Sequence, residues 1–262
     1  MTSTSEIVIE RVAAARGDGE AIHSLAAAAV EKLSPAPGEI GGVIAATFSN
    51  PDRFPALAVR VAAQLGLSAD APAFDVQMAC SAYPYAVYLA GKLAADTGKR
   101  VLVVDGDVQS RLVDRGDHAT GDIFSDAATA SIVSVGDGKP SRVGFLTRLD
   151  DALTCAESGP IRMDGMRVFT FVATEVAGFL REFGSDFDWF VPHQANPYMI
   201  RQLAKTLGLA DKLLTLDPSV KNPGSCSVPM TLAEHSAGGR ALIAGFGAGL
   251  SAAAAVVTLR PQ

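Results

Sequence analysis

The stretch AAQLGLSADAPAFDVQMACSAYPYA, residues 62–86, is echoed later by AKTLGLADKLLTLDPSVKNPGSCSVPMT, residues 204–231. Each leaves a helical pattern at Leu-Gly-Leu, crosses a turn into a short apolar run, reaches a corner bearing Cys and Ser, and continues as a helix of small residues. The echo continues outward, since RVLVVDGD (100–107) parallels RALIAGFG (240–247). Strands alternating with helices indicate parallel sheets covered by helices. A duplicated unit of this kind predicts two such sheets related by pseudo-symmetry, with helices sandwiched between them. No Pro/Gly/Ser-rich linker interrupts the chain, so the halves, 1–138 and 139–262, are expected to share one core.

The remaining segments fit this pattern. Strands are expected at 6–12, 41–49, 73–80, 99–108, 128–137, 188–196 and 212–217, and helices at 20–33, 54–67, 83–98, 165–184, 197–209 and 223–238. The uncharged run 241–259 has the length of a membrane span. Its Gly-rich centre, GFGAG, divides it into two short apolar runs, which read better as two buried strands joined by a turn.

Composition bounds the function. Of 262 residues, 48% are hydrophobic and 19% charged, enough for a sizeable core. A net charge of −6 with no Lys/Arg-rich block argues against nucleic-acid binding. The three cysteines, Cys80, Cys155 and Cys226, are odd in number and widely spaced. They form neither a disulfide framework nor a metal site, and point to a reducing, cytoplasmic setting. The first residues, MTSTSEIVIERV, lack the pattern of a secretory signal.

Three residues stand out, each with two readings. Cys80 lies where a strand runs into a helix. It is either a small residue packing a crowded corner or a nucleophile whose thiolate is favoured by the amides of the helix start. His193, in FVPHQANP, lies at the C-terminal end of a strand, where α/β sheets place ligands. It is either a hydrogen-bonded core histidine or a catalytic one. Asn222, in VKNPGSCSVP, is either a turn residue or an amide donor. The GFGAG loop (245–249) lacks the spacing of a dinucleotide-binding motif and reads as a loop whose amides approach a ligand.

Taken together and in order, VQMACSAYPYA, VPHQANPYMIRQLAKTLG, NPGSCSVP and GFGAGL resemble the ketosynthase III group, the β-ketoacyl-acyl-carrier-protein synthases III of the thiolase superfamily. The resemblance covers roughly residues 20–259. It implies the thiolase-like five-layered αβαβα sandwich built from two duplicated halves. It implies that Cys80 takes an acyl group as a thioester, and that His193 and Asn222 stabilise the enolate left when a malonyl-type extender loses CO₂. The amides of Cys80 and Ala248 would form a second oxyanion hole. Phe54 would reach across a homodimer into the partner's acyl pocket, and Arg201 and Lys205 would help dock a carrier protein. No cofactor and no metal are implied.

The sequence also departs from the family. The passage from the first strand to the first helix is short. The only tryptophan, Trp189, does not match the one that stacks on coenzyme A, which favours a carrier-protein thioester as acyl donor. Tyr198 stands where a basic residue is usual, FSDAATA (124–130) replaces FGDGAGA, and Pro223-Gly224 replaces Thr-Ser. Two alternatives remain open: an acyltransferase to a hydroxyl or amine on the same scaffold, and a non-catalytic partner subunit of a heterodimeric synthase.

Overall fold

A computed structural model describes residues 1–36, 38–157 and 159–261. The first half contains β1 (Thr2–Gly17), α1 (Ile22–Leu33), β2 (Ile40–Ala46), α2 (Leu57–Gln64), β3 (Ala73–Val76), α3 (Ala82–Thr97) and β4 (Arg100–Asp107). β5 (Asp126–Asp150) leads into the second half. A small hairpin of β6 (Leu153–Thr154) and β7 (Arg162–Met163) follows. Then come α4 (Gly165–Phe171) and α5 (Ala177–Arg181), joined by a π-helical turn at Val172–Val176. β8 (Trp189–Pro192), α6 (Pro197–Leu207), α7 (Ser227–Glu234), β9 (Gly239–Gly247) and β10 (Gly249–Leu259) complete the chain.

Strand pairing carries the duplication into three dimensions. In the first half β2 runs parallel to both β3 and β4, β4 is antiparallel to β5, and β5 is antiparallel to β1. In the second half β8 runs parallel to β9, β9 is antiparallel to β10, and β10 is antiparallel to the far end of β5. β5 changes partners around residues 137–141: from Ala127 to Val133 it lies between β4 and β1, and from Arg142 it pairs with β10, with β1 still in contact at 141–143. The expected boundary at 138 falls at that change. We propose the division there, supported by the matching pair sequences. β1 also touches β10 in parallel at Val8 and Ile9, so hydrogen bonding is continuous across both sheets.

Alternation along the strands sorts the side chains into layers. Val101 and Val103 of β4 point inward with Ala241 and Ile243 of β9. Between them lie Tyr83, Ala86, Val87 and Ala90 of α3 and Val228 and Leu232 of α7. Leu102 and Val104 face the opposite way, onto α1 and α2. Leu242 and Ala244 face α4, α5 and α6. The order is therefore helix, sheet, helix pair, sheet, helix: five layers, as expected. Each large apolar side chain buried in these seams contributes about 1.5–3 kcal/mol.

Small residues let α3 fit between two sheets. Ala82, Ala86, Ala90, Gly91 and Ala94 are all buried, and a Cβ on Gly91 would sit 2.7 Å from Ile7 Cγ1 of β1. The hydroxyl of Tyr83 meets Ser131 Oγ at 3.0 Å, so the one large polar group in this seam is satisfied. Gly98, at φ +66°, closes the helix.

Most elements match the sequence reading, and the run 241–259 forms the expected pair of buried strands, antiparallel β9 and β10. Among the described residues no helix is long and apolar enough to cross a membrane. Other elements differ from the reading. Residues 212–217 form no strand; one parallel bridge, Leu213 to Phe190, is all that remains of the counterpart of β3. β5 continues to Asp150, well past the expected end at 137, because its second half is the edge of the second sheet.

Candidate active site

Cys80 lies at the top of the first sheet. β3 ends at Val76, Ala79 takes a left-handed backbone (φ +41°), and a single 3₁₀ turn, Ala79–Ser81, precedes α3. Such a conformation is uncommon outside glycine and is held in place by its surroundings. Ser81 Oγ reaches the Met78 carbonyl at 2.9 Å and Ser251 Oγ at 2.8 Å, and Ser251 Oγ donates to the Ala248 carbonyl at 2.6 Å. These bonds tie the corner at Cys80 to the β9–β10 hairpin. The hairpin approaches closely because it carries glycines: a Cβ on Gly245 would meet Ser81 Cα at 2.8 Å.

The sequence places Cys80 where a helix start would favour its thiolate. The balance in the structure is the reverse. Burial pushes the thiol up to about 11, with the charges of Asp107 and Asp105 adding to the shift. The amides of Ala248 and of Cys80 itself lie close enough to the sulfur to offset this only in part. The α-helix proper begins two residues later, at Ala82.

His193 follows β8. Its N–H donates to the Ala244 carbonyl of β9 at 2.7 Å, and its ring stands edge-on to Phe246 with centroids 5.6 Å apart. Burial pushes the imidazole down to about 4, only partly offset by the nearby Gly224 carbonyl, so it is neutral at pH 7. Its Nδ1 lies 2.8 Å from Ser227 Oγ, which also accepts the Gln194 N–H at 3.0 Å. The rest of HQAN is structural. Gln194 bonds the Pro192 carbonyl and the Leu216 N–H, and Asn196 caps α6 by accepting from Tyr198 and Met199.

Asn222 is held from three sides. Its N–H donates to the Ile123 carbonyl at 2.8 Å, and its own carbonyl accepts from the Ser125 N–H and Gln109 Nε2. Its side-chain oxygen accepts the Gly224 N–H at 2.9 Å. Gly224 takes a left-handed backbone there, at φ +74°, which glycine adopts without a steric penalty. With Oδ1 occupied, the amide NH₂ is the group free to act as donor.

Cys80, His193 and Asn222 line one cavity of about 320 Å³, together with Ile123, Val168 and Phe246. Cys80 also lines a second cavity of about 770 Å³ with Ala248, walled by Phe48, Met78, Leu112 and Phe124. Cys80 therefore borders both cavities. Phe54, next to the Arg53 that lines the larger cavity, is 85% exposed. Arg201 and Lys205 lie on the exposed side of α6 and line neither cavity, and Trp189 bonds the Gly238 carbonyl within the second sheet's end. Among the described residues no cluster of His, Cys, Asp or Glu is suited to hold a metal.

Several residues around the site carry no clear sequence signal. Ser227 contacts His193, and Gly247 lies against Cys80. Ser225 Oγ donates to Asp105 Oδ1 at 2.5 Å. Asp105 is fully buried, and desolvation raises it well above the carboxylate range. Asp107, on the same strand, is pushed up to about 7 by burial although it accepts from Thr47, Phe48 and Ser49. Alternation along β4 predicts a shared facing for these two acids, but not their partners.

The chain is similar to known proteins. Residues 74–148 match the family model for 3-oxoacyl-[acyl-carrier-protein] synthase III, and residues 184–259 match that of its C-terminal region. The chain is 35% identical to β-ketoacyl-[acyl-carrier-protein] synthase III of Sphingopyxis alaskensis, over 78% of this chain and 70% of the relative. It is 34% identical to the protein of that name from Rhizorhabdus wittichii, over 82% and 75%. Among solved structures it is similar to a priming β-ketosynthase of the R1128 polyketide pathway, with a TM-score of 0.86, 26% identity and coverage of 98% of both chains. A 3-oxoacyl-(acyl carrier protein) synthase III of Pseudomonas aeruginosa, at a TM-score of 0.87 and 24% identity over 97% and 98%, shares the fold. The chain belongs to the 3-oxoacyl-[acyl-carrier-protein] synthase III family and has its thiolase-like fold.

Proposed function

We propose that this transferase is a condensing enzyme that joins an acyl group held on Cys80 to the carbon freed by decarboxylation of a malonyl-type thioester. In the first half-reaction Cys80 sulfur attacks the donor's thioester carbonyl. The new S–C bond forms as the donor's C–S bond breaks, and the cysteine proton leaves with the released thiol. The amides of Cys80 and Ala248, both near the sulfur, serve the oxyanion of this step. In the second half-reaction the extender's C–CO₂ bond breaks and CO₂ departs. The electron pair is held as an enolate whose oxygen accepts from His193 and Asn222. The enolate carbon attacks the acyl-Cys80 carbonyl, the bond to sulfur breaks, and the thiolate regains a proton. Ping-pong kinetics follow from this division.

One observation carries this reading: the buried thiol and two neutral donors share a cavity, and the amide oxygen of Asn222 is already occupied, so that residue presents its NH₂. The larger cavity, which Cys80 also lines, supplies room for the acyl chain. The acyl donor is a carrier-protein thioester, the extender is malonyl-type, and the working unit is a homodimer with Phe54 of each copy covering the other's larger cavity. Arg201 and Lys205 assist carrier docking from the exposed face of α6. The protein works in the cytoplasm.

Intact-mass measurement with acyl thioesters, followed by CO₂ release from malonyl-carrier protein, tests the proposal. The expected result is an adduct that is absent in Cys80→Ala, and CO₂ release that follows it. Esterification of an alcohol without CO₂ release would make the chain an acyltransferase, and no adduct with any donor would make it a non-catalytic subunit.

A further inference from the structure

We infer that Ser227 is a positioning residue: its hydroxyl donates to His193 Nδ1 and fixes the neutral imidazole in the form that carries its proton on Nε2. The use made of that proton rests on the function proposed above; the tautomer itself does not.

Ser227 is fully buried at the first position of α7, and its Oγ has two neighbours at hydrogen-bonding distance. The Gln194 N–H, 3.0 Å away, can only donate, so Oγ accepts there. A hydroxyl has one proton to give. Among the described residues the only acceptor recorded for it is His193 Nδ1, at 2.8 Å. If Nδ1 carried the ring proton, the oxygen would receive two N–H groups and its own proton would be buried without an acceptor, the costly arrangement for a polar group. With Nδ1 as acceptor the Ser227 proton and the Gln194 N–H both have partners. A neutral imidazole then bears its only N–H at Nε2.

The same six-residue turn thus orients both donors. The Gly224 N–H occupies the oxygen of Asn222 and leaves its NH₂ free, and Ser227 occupies Nδ1 and leaves an N–H at Nε2. Ser225 fastens the middle of the turn to Asp105 on β4. A helix start is a rigid mount for such a contact, and Thr231 Oγ1 bonds the Ser227 carbonyl one turn on.

Long-range ¹H–¹⁵N spectra of ¹⁵N-histidine-labelled protein near pH 7, with His193 assigned through His193→Gln, test the tautomer directly. The expected spectrum shows Nδ1 unprotonated and Nε2 protonated; a proton on Nδ1 overturns the inference. In Ser227→Ala the preference relaxes, and CO₂ release falls by about 10-fold or more, toward the 10²–10³ of a lost oxyanion donor. Acylation of Cys80 stays within about threefold, which separates misorientation from general damage. Ser227→Thr keeps the hydroxyl and recovers most of the loss. Unchanged CO₂ release in Ser227→Ala, or equal loss in both half-reactions that Thr does not recover, also overturns it. If the wild-type protein performs neither half-reaction, the functional reading fails, while the spectrum still decides the tautomer.

Discussion

A Cβ placed on Gly247 would lie 2.8 Å from the Cβ of Cys80 and 3.0 Å from its sulfur. The hairpin that carries Ala248 therefore reaches Cys80 only because position 247 lacks a side chain. In Gly247→Ala the sulfur must move, and we expect acylation of Cys80 to fall by at least about 10-fold, since reacting groups displaced by about 1 Å lose much of their rate. Time-resolved intact mass measures this. Wild-type rates in the alanine variant would show that the hairpin does not set the position of the sulfur.

His193→Ala and Asn222→Ala each remove one proposed donor to the enolate. Each is expected to slow CO₂ release by about 10²–10³ while leaving acylation of Cys80 within a few-fold. Assaying the half-reactions separately distinguishes the two effects. Equal losses in both would contradict the assigned roles.

The two buried titratable groups of the site predict unusual pH behaviour. His193 is held down to about 4, so CO₂ release has no acid limb near 6.5 and declines only as pH nears 4. Cys80 is pushed up to about 11, so its alkylation by a small neutral reagent climbs steadily through pH 8–10 without levelling. A plateau in alkylation below pH 8 would mean that the helix-start amides outweigh burial after all.

Asp107 contributes a stability term of known sign. Its carboxyl is raised from the ordinary 3.8 to about 7, so between those values the folded chain holds a proton that the unfolded chain has lost. Its contribution falls as pH rises from about 4 to about 7 and is level above that. The buried Asp105 acts in the same direction. His193 opposes them, since its lowered value removes stability as pH drops from about 6.5 to about 4. In Asp107→Asn the oxygen that accepts from Thr47, Phe48 and Ser49 is kept and the charge is lost. We expect a gain of about 1 kcal/mol at pH 8, or about 2–4 °C in Tm, and a smaller gain at pH 5. Thermal melts at both values check this; an equal change at the two would remove the charge from the explanation.

Phe54 is a large aromatic side chain left 85% in solvent beside the larger cavity. If it serves a second copy, sedimentation will show a dimer, and Phe54→Asp will weaken it and slow acylation with long acyl groups more than with acetyl. A wild-type monomer at assay concentration, fully active, would sink this expectation.

The sequence by itself determined the alternation of strands and helices in two matching halves and singled out Cys80, His193 and Asn222. The continuous apolar runs in RVLVVDGD and RALIAGFG mark strands covered on both faces, because strand geometry sends neighbouring side chains to opposite sides of the sheet. The echo of residues 62–86 in 204–231 likewise places Cys80 and the Asn222 turn at matching corners. Only the tertiary structure decided how those residues behave. Local position favours a thiolate at Cys80, whereas burial between two sheets raises the thiol, because desolvation depends on everything packed around the sulfur. The contact of Ser227 with His193 spans 34 positions, and the approach of Gly247 to Cys80 spans two halves of the fold. Neither leaves a local pattern, since hydrogen bonds and close approaches of this kind arise from chain segments that meet only when both sheets have closed on the helices between them.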